Sequence, residues 1–332
     1  MMKFLPKKVL DIFLQYCELT RAYSILISIA PWFLTLCWAL IYEPSFVDLF
    51  LTLIGIISLH LGVNLLDDFV DIKKELAKGK TIEAIDFGAI KNKGRLILNG
   101  SFSFSQVKKI IAILFAIPSL IGIYYCFAIG LPMFVIMLLS AILCLFYPFA
   151  TRYYLGEVVI GLLFGPLLMS GAFMALCGLW STRILFFSIS IAFACIVIVH
   201  SHALMDWEYD QKRNKNTLCA LFKTKENAIK TLIGLISLAY FNTVFFVLLG
   251  WLDKNTLYVF LTLPLAVELI KSMRDYIAVK NVEFKPKWWF GPMEDWQNIE
   301  KSGMAFFMYR FYLARNFAFA FCVFAGLACI FG

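Results

Sequence analysis

Residues 46–71 read FVDLFLTLIGIISLHLGVNLLDDFVD. From Phe46 to Leu66 the only charge is Asp48, and most of the rest is apolar. A run of about 20 apolar residues crosses a ~30 Å hydrocarbon core as a helix. The run then ends in side-chain oxygens at Asn64, Asp67, Asp68 and Asp71. A lipid-crossing body with an acidic tip predicts a membrane protein whose chemistry lies near one surface.

Comparable stretches begin near Ala22, Phe46, Lys108, Gly130, Glu157, Thr182, Thr231, Thr256 and Phe311. They predict an all-α fold, a polytopic membrane helical bundle of about nine transmembrane helices forming one domain over 1–332. The stretch Thr256–Ile270 is short and interrupted by Pro264. The runs are continuously apolar rather than alternating, which argues against a membrane β-barrel. Composition agrees, with 61% apolar and 16% charged residues and a mean hydropathy of +0.81. A soluble globular chain carries about 45–50% apolar and about 25% charged residues, so soluble and disordered classes are excluded.

The net charge of +8 points to topology rather than to nucleic acid. Five segments hold 28 of the 30 Lys and Arg: the N-terminus to Arg21, Asp67–Lys109, the link at Arg152, Leu204–Lys230 and Lys271–Arg315. With nine spans these segments share one side. Cytoplasmic loops collect Lys and Arg, so the expected N-terminus is cytoplasmic and the C-terminus outside. The acidic motifs then lie near the cytoplasmic face, in a multi-pass protein of a membrane such as the bacterial inner membrane. The nine cysteines are scattered, with no CxxC, and read as small apolar residues.

A second acidic tip closes the sixth stretch, where Asp206 and Asp210 are spaced i, i+4. Positions i, i+3 and i+4 share a helix face. Clustered carboxylates repel unless a cation sits among them. Mg²⁺ takes oxygen ligands and keeps waters and substrate phosphates as the remainder. Basic residues follow both tips: Lys91, Lys93 and Arg95, then Lys212, Arg213 and Lys215. Metal-bearing carboxylates fringed by cations suit a polyanion, and lipid-depth helices suit a long apolar tail. The expected ligand is a diphosphate on a hydrocarbon. Topology charge and contact with anionic membrane lipid explain the loop cations equally well.

Three stretches carry a resemblance. Asn64-Leu65-Leu66-Asp67-Asp68-Phe69-Val70-Asp71 is similar to the NLxNDYxD motif of the UbiA superfamily of membrane prenyltransferases. Residues 205–218, MDWEYDQKRNKNTL, resemble its RDxxxDxxxGKxTL motif. Tyr153-Tyr154-Leu155-Gly156-Glu157 with Phe164-Gly165-Pro166 resembles the YxGLGE…FGP segment of the branch that prenylates 1,4-dihydroxy-2-naphthoate in menaquinone synthesis. Asp67 stands where that family usually has Asn.

The resemblance implies Mg²⁺-dependent transfer of a polyprenyl group from polyprenyl diphosphate to an aromatic acceptor. It implies that Asp68, Asp71, Asp206 and Asp210, with Asn64, hold the metal. Arg21, Asp67, Lys91, Arg95, Lys212 and Lys215 would bind substrate, and Tyr147, Tyr154 and Glu157 would lie near the acceptor. Other acceptors stay open: 4-hydroxybenzoate, homogentisate, haem or a glyceryl phosphate lipid. A cation-coupled transporter is the rival from another class. His200 and His202, at i, i+2, read as interior polar residues. The Trp-rich Lys285–Trp296 reads as an interfacial loop, and Ile299–Arg310 as an amphipathic surface helix. The sequence is silent on oligomeric state.

Overall fold

The computed structural model describes residues 7–85, 94–212, 215–279 and 283–331. Among them there is no strand, and nine helices are long and apolar enough to cross a membrane. In chain order the spans are Ala22–Tyr42, Phe46–Ala77, Phe104–Ile129, Leu131–Tyr153, Gly156–Cys177, Thr182–Met205, Lys225–Leu248, Lys254–Ile277 and Ala305–Ile330. The chain is an integral, multi-pass membrane protein. Its outer surface shows this directly: Phe46, Leu120, Phe127, Leu131 and Leu248 are all exposed, which water would punish and lipid does not.

Span 2 explains how the first acidic motif is presented. Ser45 starts it as an N-cap, its hydroxyl accepting from Asp48 N. The helix then runs unbroken for 32 residues, about 48 Å at 1.5 Å per residue against ~30 Å of hydrocarbon. Its last turns, which carry Asp67, Asp68 and Asp71, therefore stand at or beyond the lipid boundary.

Two glycines shape the bundle. Gly130 alone joins spans 3 and 4, at φ 90° and ψ −151°, a region open to a residue without Cβ. Gly165 lies in a π-helical turn, Leu163–Leu167, inside span 5. A Cβ there would meet Ser188 O at 2.5 Å and Ala192 Cβ at 2.8 Å, so its absence lets span 5 press on span 6. The Phe164-Gly165-Pro166 segment is thus a close-packing device.

Span 6 is the most buried helix and packs against spans 5, 7 and 9. Span 2 packs on span 3, and span 9 packs on spans 1 and 8. Spans 1–6 and 9 together wall one large cavity, which spans 7 and 8 buttress from outside.

The stretch expected as a surface helix over Ile299–Arg310 is two elements. A short helix, Trp296–Lys301, ends at Gly303 (φ 73°), and span 9 begins at Ala305. Arg310 and Arg315 belong to that last helix and are only 2% and 3% exposed. The Trp-rich loop is clamped to it. Arg315 Nη2 donates to Pro292 O at 2.6 Å and pairs with Glu294 at 3.0 Å. Asn316 Nδ2 donates to Phe290 O at 2.8 Å and Pro292 O at 2.9 Å. Trp288 is exposed while Phe290 is fully buried, so one ring of the loop faces outward and another anchors it. Asn316→Ala strands the buried Phe290 carbonyl, at an expected cost of about 1–3 kcal/mol. Amide exchange over residues 288–298 should quicken, and unchanged exchange would contradict the clamp.

Candidate active site

The cavity has a volume of about 860 Å³, at the upper end of small-ligand sites, which run to about 1,000 Å³. Its polar mouth receives both acidic tips: Asn64 and Asp67 from span 2, Asp206 from the end of span 6 and Asp210 from the short helix that follows it. From there it continues between apolar side chains such as Val63, Ile121, Met133 and Leu167 to Thr52 near the other end of span 2. Thr52 and Asp67 are 15 positions apart on one helix, about 22 Å at 1.5 Å per residue.

Arg21 fixes the first tip. It sits just before span 1 in the left-handed region, φ 55° and ψ 43°, which a non-glycine residue adopts at a cost. Its Nη2 donates to Asn64 O at 3.1 Å, and lies 3.4 Å from Asp67 Oδ2 and 3.2 Å from Asp68 Oδ1. Burial alone would depress the guanidinium's pKa, but the Asp68 and Asp67 carboxylates outweigh it and hold it above the ordinary value. The cation is therefore permanent.

The second tip is built differently. Span 6 ends at Met205, whose carbonyl accepts from Tyr276 OH at 2.8 Å. Asp210 N donates to Asp206 O at 2.8 Å, so the two carboxylates keep i, i+4 spacing across the break. His202 Nδ1 lies 3.3 Å from Asp206 Oδ2, and Lys215 Nζ 3.8 Å from Asp210 Oδ1. The loop that follows is tied to the start of span 5 and the end of span 4. Glu157, 2% exposed, accepts from Leu218 N at 2.8 Å, and Asn216 Nδ2 donates to Arg152 O at 3.0 Å.

The structure sorts the sequence candidates. Arg21, Asn64, Asp67, Tyr147, Glu157, Asp206, Asp210 and Lys215 line the cavity. Asp68 lies behind the wall, 2% exposed and paired with Arg21. Asp71 is also off the wall, 3.5 Å from Lys74, whose Nζ donates to Pro148 O on span 4. The resemblance gives Asp68 and Asp71 metal-holding roles; in this structure both stand off the cavity wall, while Asn64 and Asp67 line it. Arg95 is drawn away, bonded to Glu18 at 2.7 Å on the surface. Lys212 points outward from a short helix, Trp207–Lys212. Tyr154 is in a left-handed turn off the wall. Lys91, with Lys93 and Arg213, lies outside the described residues.

The sequence reading missed five contributors. Asp295, Asn298 and Ser302 reach the mouth because the clamped loop delivers them there, and that depends on tertiary docking alone. Ser24 and His60 also line the cavity. His60 is i−4 from Asn64, so helix periodicity could have found it. His200 is fully buried and bonded to Ala228 O at 2.8 Å, as an interior polar residue.

Among the described residues no three His, Cys, Asp or Glu side chains cluster closely enough to hold a metal ion unaided. The mouth offers hard oxygens in two separated pairs. Such a donor set fits a Mg²⁺ ion that takes its remaining ligands from phosphate and water.

A membrane-embedded helical bundle with an acidic, cation-fringed mouth and a long apolar body is an enzyme architecture for amphiphilic polyanions. The chain belongs to the UbiA prenyltransferase family, which matches residues 28–290, and is a prenyltransferase. It is 25% identical over 260 residues to a 1,4-dihydroxy-2-naphthoate octaprenyltransferase of Bacillus subtilis (strain 168), covering 77% of this chain and 80% of that one. Its fold matches a UbiA homologue of Archaeoglobus fulgidus bound to GPP and Mg²⁺ (TM-score 0.57, 15% identity, 92% of this chain and 99% of that one). It also matches a digeranylgeranylglyceryl phosphate synthase (TM-score 0.59, 16% identity, 95% and 99%).

Proposed function

We propose that this chain transfers a polyprenyl group from its diphosphate to 1,4-dihydroxy-2-naphthoate. The observation that carries the reading is the one cavity that joins both acidic tips to an apolar tunnel. The similarity to the Bacillus subtilis octaprenyltransferase supports the choice of acceptor. Asn64, Asp67, Asp206 and Asp210 hold a Mg²⁺-bound diphosphate, with Arg21 and Lys215 neutralising further oxygens. Bound Mg²⁺ stabilises the charge that develops on the departing pyrophosphate. The C1–O bond of the prenyl diphosphate breaks and a bond forms from C1 to the ring carbon bearing the carboxylate. Loss of CO₂ returns its electron pair to the ring, so pyrophosphate and CO₂ are the leaving groups. The apolar walls exclude water that would quench the allylic cation. The N-terminus is cytoplasmic, the C-terminus outside, and the mouth opens near the cytoplasmic face of a bacterial inner membrane.

The test is purified protein with Mg²⁺, labelled geranylgeranyl diphosphate and a panel of acceptors. Prenylated naphthoquinol with release of CO₂ is expected. Product from 4-hydroxybenzoate or a glyceryl phosphate alone would overturn the acceptor. The tunnel gives a second expectation. Gly55 lines it, and a Cβ there sits 3.5 Å from Ile121 Cδ1, in ordinary contact. Gly55 lies 12 positions from Asp67 on span 2, about 18 Å along the helix. Gly55→Phe should block the far end, depressing use of long donors while sparing dimethylallyl diphosphate. Equal loss with both donors would contradict this path.

A further inference from the structure

Glu157 stands in the first turn of span 5 and is 2% exposed. A carboxylate so covered has almost no surface to offer a ligand. Its Oε1 instead accepts from Leu218 N at 2.8 Å, in the loop that follows the second acidic tip. Leu218 opens the short helix Leu218–Leu221, where Thr217 Oγ1 takes the Ala220 N–H at 3.3 Å. Just upstream, Lys215 N donates to Asp210 O at 2.9 Å and Asn216 Nδ2 to Arg152 O at 3.0 Å. The backbone of Lys215 is therefore fixed between Asp210 on one side and Arg152 and Glu157 on the other. Its side chain keeps 36% exposure and lines the cavity.

The two charged groups differ in what they can reach. Lys215 can meet a diphosphate directly, while Glu157 acts on the mouth only through the loop it holds. A hydrogen bond to a charged acceptor is among the stronger ones in a protein. It orders the loop before a ligand arrives, which lowers the entropy cost of binding. Lysine gains most from such ordering, because it carries a point charge on a flexible four-carbon stem. We infer that Glu157 is a positioning residue for the prenyl diphosphate: it holds Leu218 N, and that bond keeps Lys215 at the mouth. This role differs from the acceptor contact that the resemblance implies. It rests on the placement of the diphosphate at Lys215 proposed above.

The experiment measures equilibrium binding of labelled geranyl thiolodiphosphate with Mg²⁺ to the purified full chain, beside the KM for 1,4-dihydroxy-2-naphthoate. Glu157→Leu should weaken donor binding about 10-fold and leave the acceptor KM within about twofold of the wild-type value. Glu157→Gln keeps an oxygen for Leu218 N and should recover most of the donor affinity. Leu218→Pro deletes the same bond from its other end, and it answers the question if Glu157→Leu does not survive purification. Proline suits the first position of a helix, and Thr217 before it is already extended, at φ −87° and ψ 164°, as a proline requires. Leu218→Pro should therefore lose donor affinity as Glu157→Leu does. In a Lys215→Met protein neither change should weaken binding further, because both act through that side chain. An additive loss in Lys215→Met, or a raised acceptor KM with unchanged donor binding in Glu157→Leu, overturns the positioning role alone. Wild-type donor affinity in Lys215→Met overturns the placement of the diphosphate and this inference with it.

Discussion

Asp206→Asn should lower turnover about 10²–10³-fold, the usual scale for losing a group that stabilises developing charge. The amide matches the carboxylate in shape, so the protein should stay folded. Asp206 caps the end of span 6 and faces the mouth, with His202 at 3.3 Å on one side and Asp210 one turn on. What the variant loses is a negative charge at the point where a metal-bound diphosphate is proposed to sit. Raising Mg²⁺ should recover part of the loss if the defect is metal affinity. Wild-type turnover in a folded Asp206→Asn protein would remove the second tip from the chemistry.

Arg21→Ala should have the next largest effect, and on two quantities. Asp68 is 2% exposed and Arg21 lies 3.2 Å from it. Removing one partner of a buried ion pair costs about 3–5 kcal/mol, because the survivor is left charged and dry. Thermal unfolding in detergent should drop accordingly. The donor KM should rise as well, since Arg21 also holds Asn64 O and faces the cavity. The combination Arg21→Ala with Asp68→Asn separates the effects, because neutralising Asp68 should restore stability but not donor binding. An unshifted melting temperature in Arg21→Ala would contradict the buried pairing.

The spans were legible because lipid demands about 20 apolar residues and the chain supplies them openly. Span 8 was obscured by Pro264, read as an interruption. The proline occupies the first turn of the helix Leu263–Ile277, where a missing N–H costs nothing, and a 3₁₀ segment, Lys254–Thr262, precedes it. The break at Gly303 escaped a reading based on aromatic spacing alone. At the site, both tips were visible as oxygen clusters at helix ends. Which carboxylates of the first tip line the cavity was not, because a shift of one residue turns a helical side chain by about 100°. Arg95 and Lys212 looked equivalent to Lys215 in sequence, yet only Lys215 lines the cavity, held in a loop that Glu157 and Asn216 tether.

The most direct measurement is equilibrium binding of a labelled geranyl thiolodiphosphate, whose C–S link resists ionisation, with Mg²⁺ and with EDTA. It compares the wild type with one variant of each tip, Asp67→Ala with Asp68→Ala and Asp206→Ala with Asp210→Ala. Binding should require Mg²⁺, and each variant should lose at least about 10-fold in affinity, because one ligand spans both tips. Wild-type affinity in either folded variant, or binding indifferent to EDTA, would contradict it.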